Sequence, residues 1–402
     1  MVLIQESFDS FHEMEQSISD LCTSIHNSLR EEDTFILRDE ISIASIDPYW
    51  GYSGPDDDSQ DDSQDGSQVG DDENRNEQLV VESSHLGSSG FFASSTSRER
   101  QYAEKFMQVF RFILSKNYQF KEIIFDQDYD LEITDEHIKL MRGHYNQLNS
   151  FCLYDFDSGI SSSVLSEFFQ GRHSLTEITL RRCSQVDDDV VRAIADNCPN
   201  LQCLNITRVK NDVERGVSDE SMVYLATKCP ELKHIFLKRQ GISDVAVNKL
   251  SECCPRLQEI DLVDCNEVTD QGIETLLRNC QLLTRISLGG GAPAKLTQRT
   301  LNAIANSHIE YLELDSFADI SHDDREQSRG IFKDFIMNAG ALTYIKMNFT
   351  CFNLGFTSII HYNQQQPIKM CYSDTGALSN AQILRAIEEE ANNKPLSYPN
   401  PI

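Results

Sequence analysis

The chain has 402 residues and a net charge of −29 at neutral pH, and 40% of its residues are hydrophobic. This acidity argues against nucleic acid as a partner, because proteins that bind nucleic acid present basic surfaces. No stretch approaches the roughly 18 apolar residues of a membrane span, and the first residues lack the basic region of a secretory signal. We therefore expect a cytoplasmic or nuclear protein, or one found in both compartments.

The first hundred residues are the most acidic part, with 23 acidic and 5 basic side chains. In the N-terminal segment, residues 1–54, apolar residues recur at three- and four-residue steps and predict an amphipathic helix over 7–30. An aromatic island follows at 41–52. Its aromatic residues form a candidate docking motif, with packing on the convex side of the repeat domain described below as the alternative. The motif consists of Tyr49, Trp50 and Tyr52.

Residues 55–97 are a low-complexity tail of Asp, Ser, Gln and Gly, which cannot bury enough surface to offset the entropy of ordering. We predict that this acidic tail is disordered. Three of its Ser-Gln units resemble kinase targets, and each phosphate would add about −1.5 to −2 charge; a solubilising tract is the alternative. The candidate phosphorylation sites are Ser59, Ser63 and Ser67. A further hypothesis is that the tail folds back onto a basic column described below and competes with a partner.

Apolar spacing predicts a helix over 98–116, which we interpret as the N-terminal cap of the domain that follows. Residues 117–363 repeat the form L-x-x-L-x-L, and 25 to 31 residues separate the clearest copies. A period of this size predicts supersecondary units stacked in a row. Residues 364–402 lose the pattern and are predicted to form an irregular C-terminal cap. The clear copies begin at Leu201, Leu232, Leu257 and Leu283, and weaker copies at Phe120, Leu148, Leu175, Ile309 and Leu342, which gives about nine strands.

Within one copy, alternating apolar residues predict a strand, and a 3.6-residue apolar pattern predicts a helix after it. Thr269 and Asp270 are predicted to cap the start of such a helix. The expected fold is an α/β leucine-rich-repeat solenoid, curved, with parallel strands on the inner face and helices outside. Cysteines between Cys152 and Cys371 recur at repeat positions as apolar fillers, so we expect no metal site. No pairing of nucleophile and base indicates catalysis, so we expect neither enzyme activity nor a cofactor.

The run from Cys254 to Leu276 reads C-P-x-L-x-x-I-x-L-x-x-C-x-x-V-T-D-x-G-I-x-x-L. It resembles the cysteine-containing repeat of F-box/leucine-rich-repeat proteins and of antagonist-of-mitotic-exit-network proteins. The resemblance implies a substrate receptor or adaptor in Skp–cullin–F-box-type ubiquitin-dependent degradation, with a protein partner on the concave face and adjoining loops and a Skp-type adaptor. Residues 1–54 lack the Leu-Pro opening of an F-box. Two alternatives therefore stay open: a scaffold or inhibitor of a mitotic or signalling regulator, and a GTPase-activating leucine-rich-repeat protein.

A column of basic residues stands just past the strands. Arg182, Arg208 and Arg239 have the same offset in three successive repeats, flanked by Arg181 and Lys238. Parallel strands lie about 4.8 Å apart, so these like charges would be close, and arginine binds carboxylate or phosphate through two hydrogen bonds. We hypothesise a site for an acidic or phosphorylated peptide, with solvated arginines fanning apart as the alternative. The strand residues of this candidate site are Thr179, Asn205 and Phe236.

Overall fold

The computed structural model of the protein describes residues 2–3, 34–37, 107–108, 110–116, 120–126, 133–154, 156, 159–208, 216–290, 295–315, 325–347 and 369–372. They all belong to one compact unit, residues 1–42 and 107–402. The predicted helix 7–30, aromatic island 41–52 and acidic tail 55–97 lie outside the described residues. The described residues 34–37 lie between the predicted helix and the aromatic island.

The described chain is built around one parallel sheet of twelve strands, which lie side by side in the order in which they occur in the sequence. Nine of them, β3 to β11, are the strands that the repeat predicts, and this prediction is confirmed. β1, β2 and β12 extend the sheet beyond the predicted repeats. The strands are β1 Val2–Leu3, β2 Thr34–Leu37, β3 Glu122–Asp126, β4 Ser150–Tyr154, β5 Glu177–Arg181, β6 Cys203–Asn205, β7 His234–Phe236, β8 Glu259–Asp261, β9 Arg285–Gly289, β10 Tyr311–Asp315, β11 Tyr344–Met347 and β12 Lys369–Tyr372.

In the described part of the chain, one helix lies between each pair of consecutive strands from β3 to β11. Because crossovers between parallel neighbours are nearly always right-handed, these helices lie on one face of the sheet. We call the other face, which points away from the helices, the strand face. The helices are α1 Asp135–Met141, α2 Ser162–Phe168, α3 Asp188–Asn197, α4 Asp219–Lys228, α5 Asp244–Cys253, α6 Asp270–Asn279, α7 Gln298–Ala305 and α8 Arg325–Asn338.

The core lies between the sheet and the helices. In β5, Ile178 and Leu180 are fully buried, and the apolar stripe of α3, including Val191 and Ile194, is buried as well. The same offsets are buried in the following repeats. Apolar residues recur every second residue in the strands and about every 3.6 residues in the helices. These residues pack against each other between the sheet and the helices, so the core is continuous along the array.

Consecutive repeats are joined at the helix starts by what we call cap bridges. The aspartate at the first position of one helix accepts two hydrogen bonds from the Ser or Thr at the N-cap of the next helix. The backbone N–H bonds measure 2.7–2.8 Å and the hydroxyl bonds 2.6–2.9 Å. The five bridges are Asp135–Ser161, Asp188–Ser218, Asp219–Ser243, Asp244–Thr269 and Asp270–Thr297.

The cap bridges change the expectation for one aspartate. The Thr269 hydroxyl accepts the N–H of Gln271 and so caps its own helix as predicted. The Asp270 carboxylate instead accepts hydrogen bonds from the backbone N–H and the hydroxyl of Thr297, the N-cap residue of the next helix. Its carboxylate also accepts the hydroxyl of Thr300 at 2.6 Å. In the five cap bridges the aspartate therefore forms these hydrogen bonds across the interface between repeats and not with the start of its own helix.

The described part of the predicted 98–116 helix lies against the first predicted repeat. Residues 110–115 are helical, and the Phe110 ring lies 6.4 Å from Phe125 of β3 and 5.1 Å from His137 of α1. Burial lowers the pKa of His137 to about 4, so its imidazole is neutral inside this aromatic contact. The sheet continues past β3 into β2, within the predicted N-terminal segment, and past β11 into β12, within the predicted C-terminal cap.

Candidate partner-binding site

The candidate site lies at the carboxyl ends of β5, β6 and β7. Here the ladder of backbone hydrogen bonds continues beyond the strands. The N–H groups of Arg182, Arg208 and Arg239 donate to Thr207 O, Lys238 O and Val263 O, at 2.7, 3.1 and 2.9 Å. Each acceptor precedes the equivalent residue of the next repeat. The three arginines therefore occupy equivalent positions on consecutive turns, about 5 Å apart along the sheet. We call Arg181, Arg182, Arg208, Lys238 and Arg239 together the basic turns.

Two arginines of the basic turns have left-handed backbone conformations. Arg182 has φ +55° and Arg239 has φ +64°, and the equivalent Asp264 of the next turn has φ +59°. For an L-residue this conformation costs about 1–2 kcal/mol, and glycine, asparagine and aspartate tolerate it best. Asp264 follows that preference, whereas the two arginines do not.

The arginines differ in how much surface they offer. Arg182 is half-buried, whereas Arg208 is only 3% exposed. A Cβ at Gly216 would lie 3.1 Å from Nη1 of Arg208 and 2.7 Å from Oε1 of Gln240, so a larger residue would crowd both side chains. Arg208 thus contributes charge to the basic turns but little contact area.

The basic turns end at an acidic residue. Nε of Arg239 donates to Oδ2 of Asp264 at 2.9 Å, and both side chains are largely buried. At the equivalent position one repeat further on stands Gly290. The basic surface is therefore a short strip across three turns, bounded on one side by a carboxylate.

The predicted strand residues lie next to this strip. Thr179, Asn205 and Phe236 are paired in register on neighbouring strands of the strand face. They are 5%, 8% and 9% exposed, so the structure leaves a partner little of their surface. Oδ1 of Asn205 accepts the N–H of Thr207 at 3.1 Å and so supports the backbone that leads into the basic turns. Their predicted contact with a partner stays a prediction.

Acidic groups dominate the start of the same strands. Nδ1 of His234 lies 3.2 Å from Oε2 of Glu259. Burial raises the pKa of Glu177, and the nearby Glu122 carboxylate raises it further. Asp261, the last residue of β8, is a further acidic group, and burial and then Glu313 raise its pKa to about 7. The strand face is therefore acidic where β5 and β8 begin and at the end of β8, and basic where β5, β6 and β7 end.

Sequence reasoning missed a second surface on the strand face, at β9 to β11. The rings of Tyr311 and Tyr344 stack at 4.7 Å with an angle of 9° between their planes, and the guanidinium carbon of Arg285 lies 5.9 Å from the Tyr311 centroid. Beside them, Lys346 pairs with Glu313 at 2.9 Å. The two tyrosines stand at equivalent offsets in adjacent weak repeats, which is the sequence signal that could have revealed them.

The repeat cysteines lie in the core. Cys198, Cys229 and Cys254 follow the ends of three successive helices, and burial raises the pKa of each thiol to about 12. Sγ of Cys229 donates to Cys198 O at 3.4 Å. Among the residues that the structure describes, no group of three metal-ligating side chains could hold an ion. Within those same residues, no helix combines the length and apolar character of a bilayer span.

Several candidate residues lie outside the described part of the chain, where the structure does not test them. They are the possible docking motif Tyr49, Trp50 and Tyr52 and the candidate phosphorylation sites Ser59, Ser63 and Ser67. The hypothesis that the acidic tail competes for the basic column concerns the same part of the chain and likewise stays a prediction.

Comparison with known proteins gives partial matches. No protein-family model matches the chain. Putative F-box/LRR-repeat protein 9 of Arabidopsis thaliana is 28% identical over 98 residues, 24% of this chain and 39% of the relative. Antagonist of mitotic exit network protein 1 of Eremothecium gossypii is 30% identical over 124 residues, 29% of this chain and 30% of the relative. The chain thus spans well under half of each relative.

Among solved structures, the crystal structure of the yeast Rad7 and Elc1 complex is similar at 15% identity and a TM-score of 0.47. The similarity covers 68% of this chain and 69% of that chain. The sequence matches include both kinds of protein that the repeat motif resembles, an F-box/LRR-repeat protein and an antagonist of the mitotic exit network. The predicted resemblance to F-box/leucine-rich-repeat and mitotic-exit-antagonist proteins is confirmed by them.

Proposed function

We propose that the protein recognises another protein through the strand face and the basic turns, without catalysing a reaction. The observation that carries this proposal is the row of parallel strands, which present side chains at equivalent positions of successive repeats on the same face. Such a surface contacts a partner at many regularly spaced points. The half-buried Tyr311–Tyr344 stack adds aromatic surface to this face. Tyrosine is enriched among the few residues that supply most of the binding energy of protein interfaces.

The role that best fits the similar proteins is that of a substrate receptor or adaptor in ubiquitin-dependent degradation, acting in the cytoplasm, the nucleus or both. Support comes from the relatives whose names contain F-box and LRR-repeat. In this role, residues 1–54 would hold a Skp-type adaptor, and the repeats would hold the substrate.

A second role is that of a scaffold or inhibitor of a mitotic or signalling regulator. Two observations favour it: residues 1–54 lack the Leu-Pro opening of an F-box, and one relative is named an antagonist of the mitotic exit network. In this role the protein would bind its target without a Skp or cullin subunit.

Affinity purification with mass spectrometry distinguishes these roles. The tagged full chain is compared with a chain lacking residues 1–54 and with a strand-face variant, Tyr311→Ser with Tyr344→Ser. The receptor role predicts Skp and cullin subunits that depend on residues 1–54, together with a substrate that depends on the two tyrosines. Substrate capture without Skp or cullin would favour the scaffold role. Capture that is the same for all three chains would contradict recognition through the strand face.

A further inference from the structure

We propose that the basic turns bind a short acidic or phosphorylated segment of the partner protein. The inference rests on the proposed function, because it names the chemistry of the partner. It starts from charge: the chain has a net charge of −29, yet five cationic side chains are gathered on three consecutive turns. A carboxylate or phosphate placed against them accepts charge-assisted hydrogen bonds, and arginine can donate two at once to either group.

The backbone gives an independent reason. Arg182 and Arg239 are held at φ +55° and +64°, a region in which glycine, asparagine and aspartate are favoured. The equivalent position of the next repeat carries Asp264, a residue type suited to this conformation, at φ +59°. Unfavourable backbone conformations are retained where a side chain is needed at a site. The need here is for a guanidinium group at the edge of the strand face.

The surroundings limit the size of the ligand. Arg208 is almost fully buried, whereas Arg181, Arg182, Lys238 and Arg239 are half-buried. Direct contact therefore falls mainly to these four side chains. Three turns span about 10 Å, which matches roughly three residues of an extended chain. One or two anionic groups in a segment fit this length.

The acidic groups nearby exclude a longer polyanion. Asp264 closes one end of the strip, Glu177 lies at the start of β5, which leads into it, and Glu259 and Asp261 lie on the neighbouring β8. A nucleic acid or an anionic membrane surface would bring phosphates against these carboxylates, which repel them. A protein segment can place a single charge on the basic turns and its neutral residues over the rest.

Fluorescence anisotropy with the full chain tests the inference. The probes are three labelled nonapeptides of one sequence, with two phosphoserines, two glutamates or two lysines placed two residues apart. The phosphoserine and glutamate peptides should bind, and the lysine peptide should bind at least tenfold more weakly. Raising the salt concentration should weaken the first two, since the contact is electrostatic.

Variants separate binding from folding. Arg182→Gly removes the guanidinium and relieves the backbone, so affinity for the acidic peptides should fall at least tenfold while the urea midpoint stays the same or rises. Lys238→Ala should also weaken binding. Asp264→Gly should strengthen it, because it releases Arg239. Arg256→Ala is the matched control, because Arg256 is an exposed arginine that pairs with Glu231. It precedes β8 and so lies at the opposite end of the strands from the basic turns.

Equal binding of acidic and lysine peptides, or an unchanged affinity in the Arg182→Gly chain, would overturn the inference. The proposed function has a separate readout. Partner capture by affinity purification that survives loss of peptide binding would leave protein recognition in place and remove only the acidic-segment assignment.

Discussion

At the scale of single residues, Asp261 is the most perturbed carboxyl group of the strand face. It stands between Phe236 and Ser287 on neighbouring strands, and its Oδ1 accepts the N–H of Val263 at 2.9 Å. Burial, and then the charge of Glu313, raise its pKa from 3.8 to about 7, although the Val263 N–H and two lysines oppose the shift. Near neutral pH this position therefore gains or loses a proton readily.

The raised pKa makes a prediction about stability. Between about pH 4 and pH 7 the folded state binds this proton more tightly than the unfolded chain, so the contribution of Asp261 to stability falls as pH rises. Asp261→Asn keeps the oxygen acceptor without the charge. We expect it to leave the urea midpoint unchanged at pH 4 and to stabilise the protein by about 1–3 kcal/mol at pH 7.5.

The control for this experiment is Asp189→Asn, the same chemical change at an exposed position of α3. It should have little effect at either pH, because exposed ion pairs contribute little. A constant difference between Asp261→Asn and the unmodified chain across this pH range would contradict the raised pKa of Asp261.

At the scale of elements, the sequence predicts what depends on local periodicity. The strand of each repeat is visible in apolar alternation, and the helix in its 3.6-residue stripe, so β3 to β11 could be placed without coordinates. The cap bridges could not be predicted, because each joins an aspartate to a hydroxyl 24 to 30 residues away. β2 and β12 were missed as well, since Thr34–Leu37 and Lys369–Tyr372 carry too little of the repeat pattern.

In the candidate site, too, some features follow from the repeat pattern of the sequence and others do not. The equivalence of Arg182, Arg208 and Arg239 follows from counting repeat offsets along the sequence. Their backbone conformations do not, because arginine has no preference for positive φ. The burial of Arg208 could not be predicted either, since Gly216, eight residues further along the chain, and Gln240 of the next repeat lie against it.

The cap bridges lead to a prediction of their own. The Asp188 carboxylate accepts the backbone N–H of Ser218 at 2.8 Å and the hydroxyls of Ser218 and Ser221 at 2.7 and 2.6 Å. Burial opposes its ionisation, but these hydrogen bonds outweigh it and lower its pKa. Asp188→Ala would leave donors without their acceptor, and we expect it to destabilise the protein by about 1.5–3 kcal/mol in urea unfolding.

Asp189→Ala is the matched control, since Asp189 is the next residue of the same helix and is exposed. It should change stability by less than about 0.5 kcal/mol. Hydrogen exchange adds a local measurement: the amide of Ser218 should exchange faster in Asp188→Ala and not in Asp189→Ala. Equal protection of that amide in both variants would contradict the cap bridge.

At the scale of the whole molecule, each repeat contacts mainly its two neighbours, so stability depends on intrinsic repeat terms and interface terms. The interfaces from α3 to α6 share the same parts: a parallel strand pair, a cap bridge and a buried cysteine after the helix. Because these interfaces are so alike, no one of them is an obvious place for the array to break. We therefore expect the central repeats to unfold together.

The cysteines themselves can report this cooperativity. Cys198, Cys229, Cys254 and Cys280 follow four successive helices, and burial raises the pKa of their thiols to about 11 or 12. Since the thiolate is the reactive form, an alkylating reagent should modify them only after local opening. Brief alkylation at increasing urea concentrations, followed by mass spectrometry of the peptides, measures each position separately.

The expected result is that all four thiols become reactive over the same narrow range of urea concentration. Cys253 supplies an internal control, because it is half-buried beside Cys254 and should react without urea. The peptide that contains both should then carry one label in the native protein and two after unfolding. Reactivity that instead spread from Cys280 towards Cys198, or in the reverse direction, would mean that the repeats separate one at a time, and that the shared interfaces do not make them a single cooperative unit.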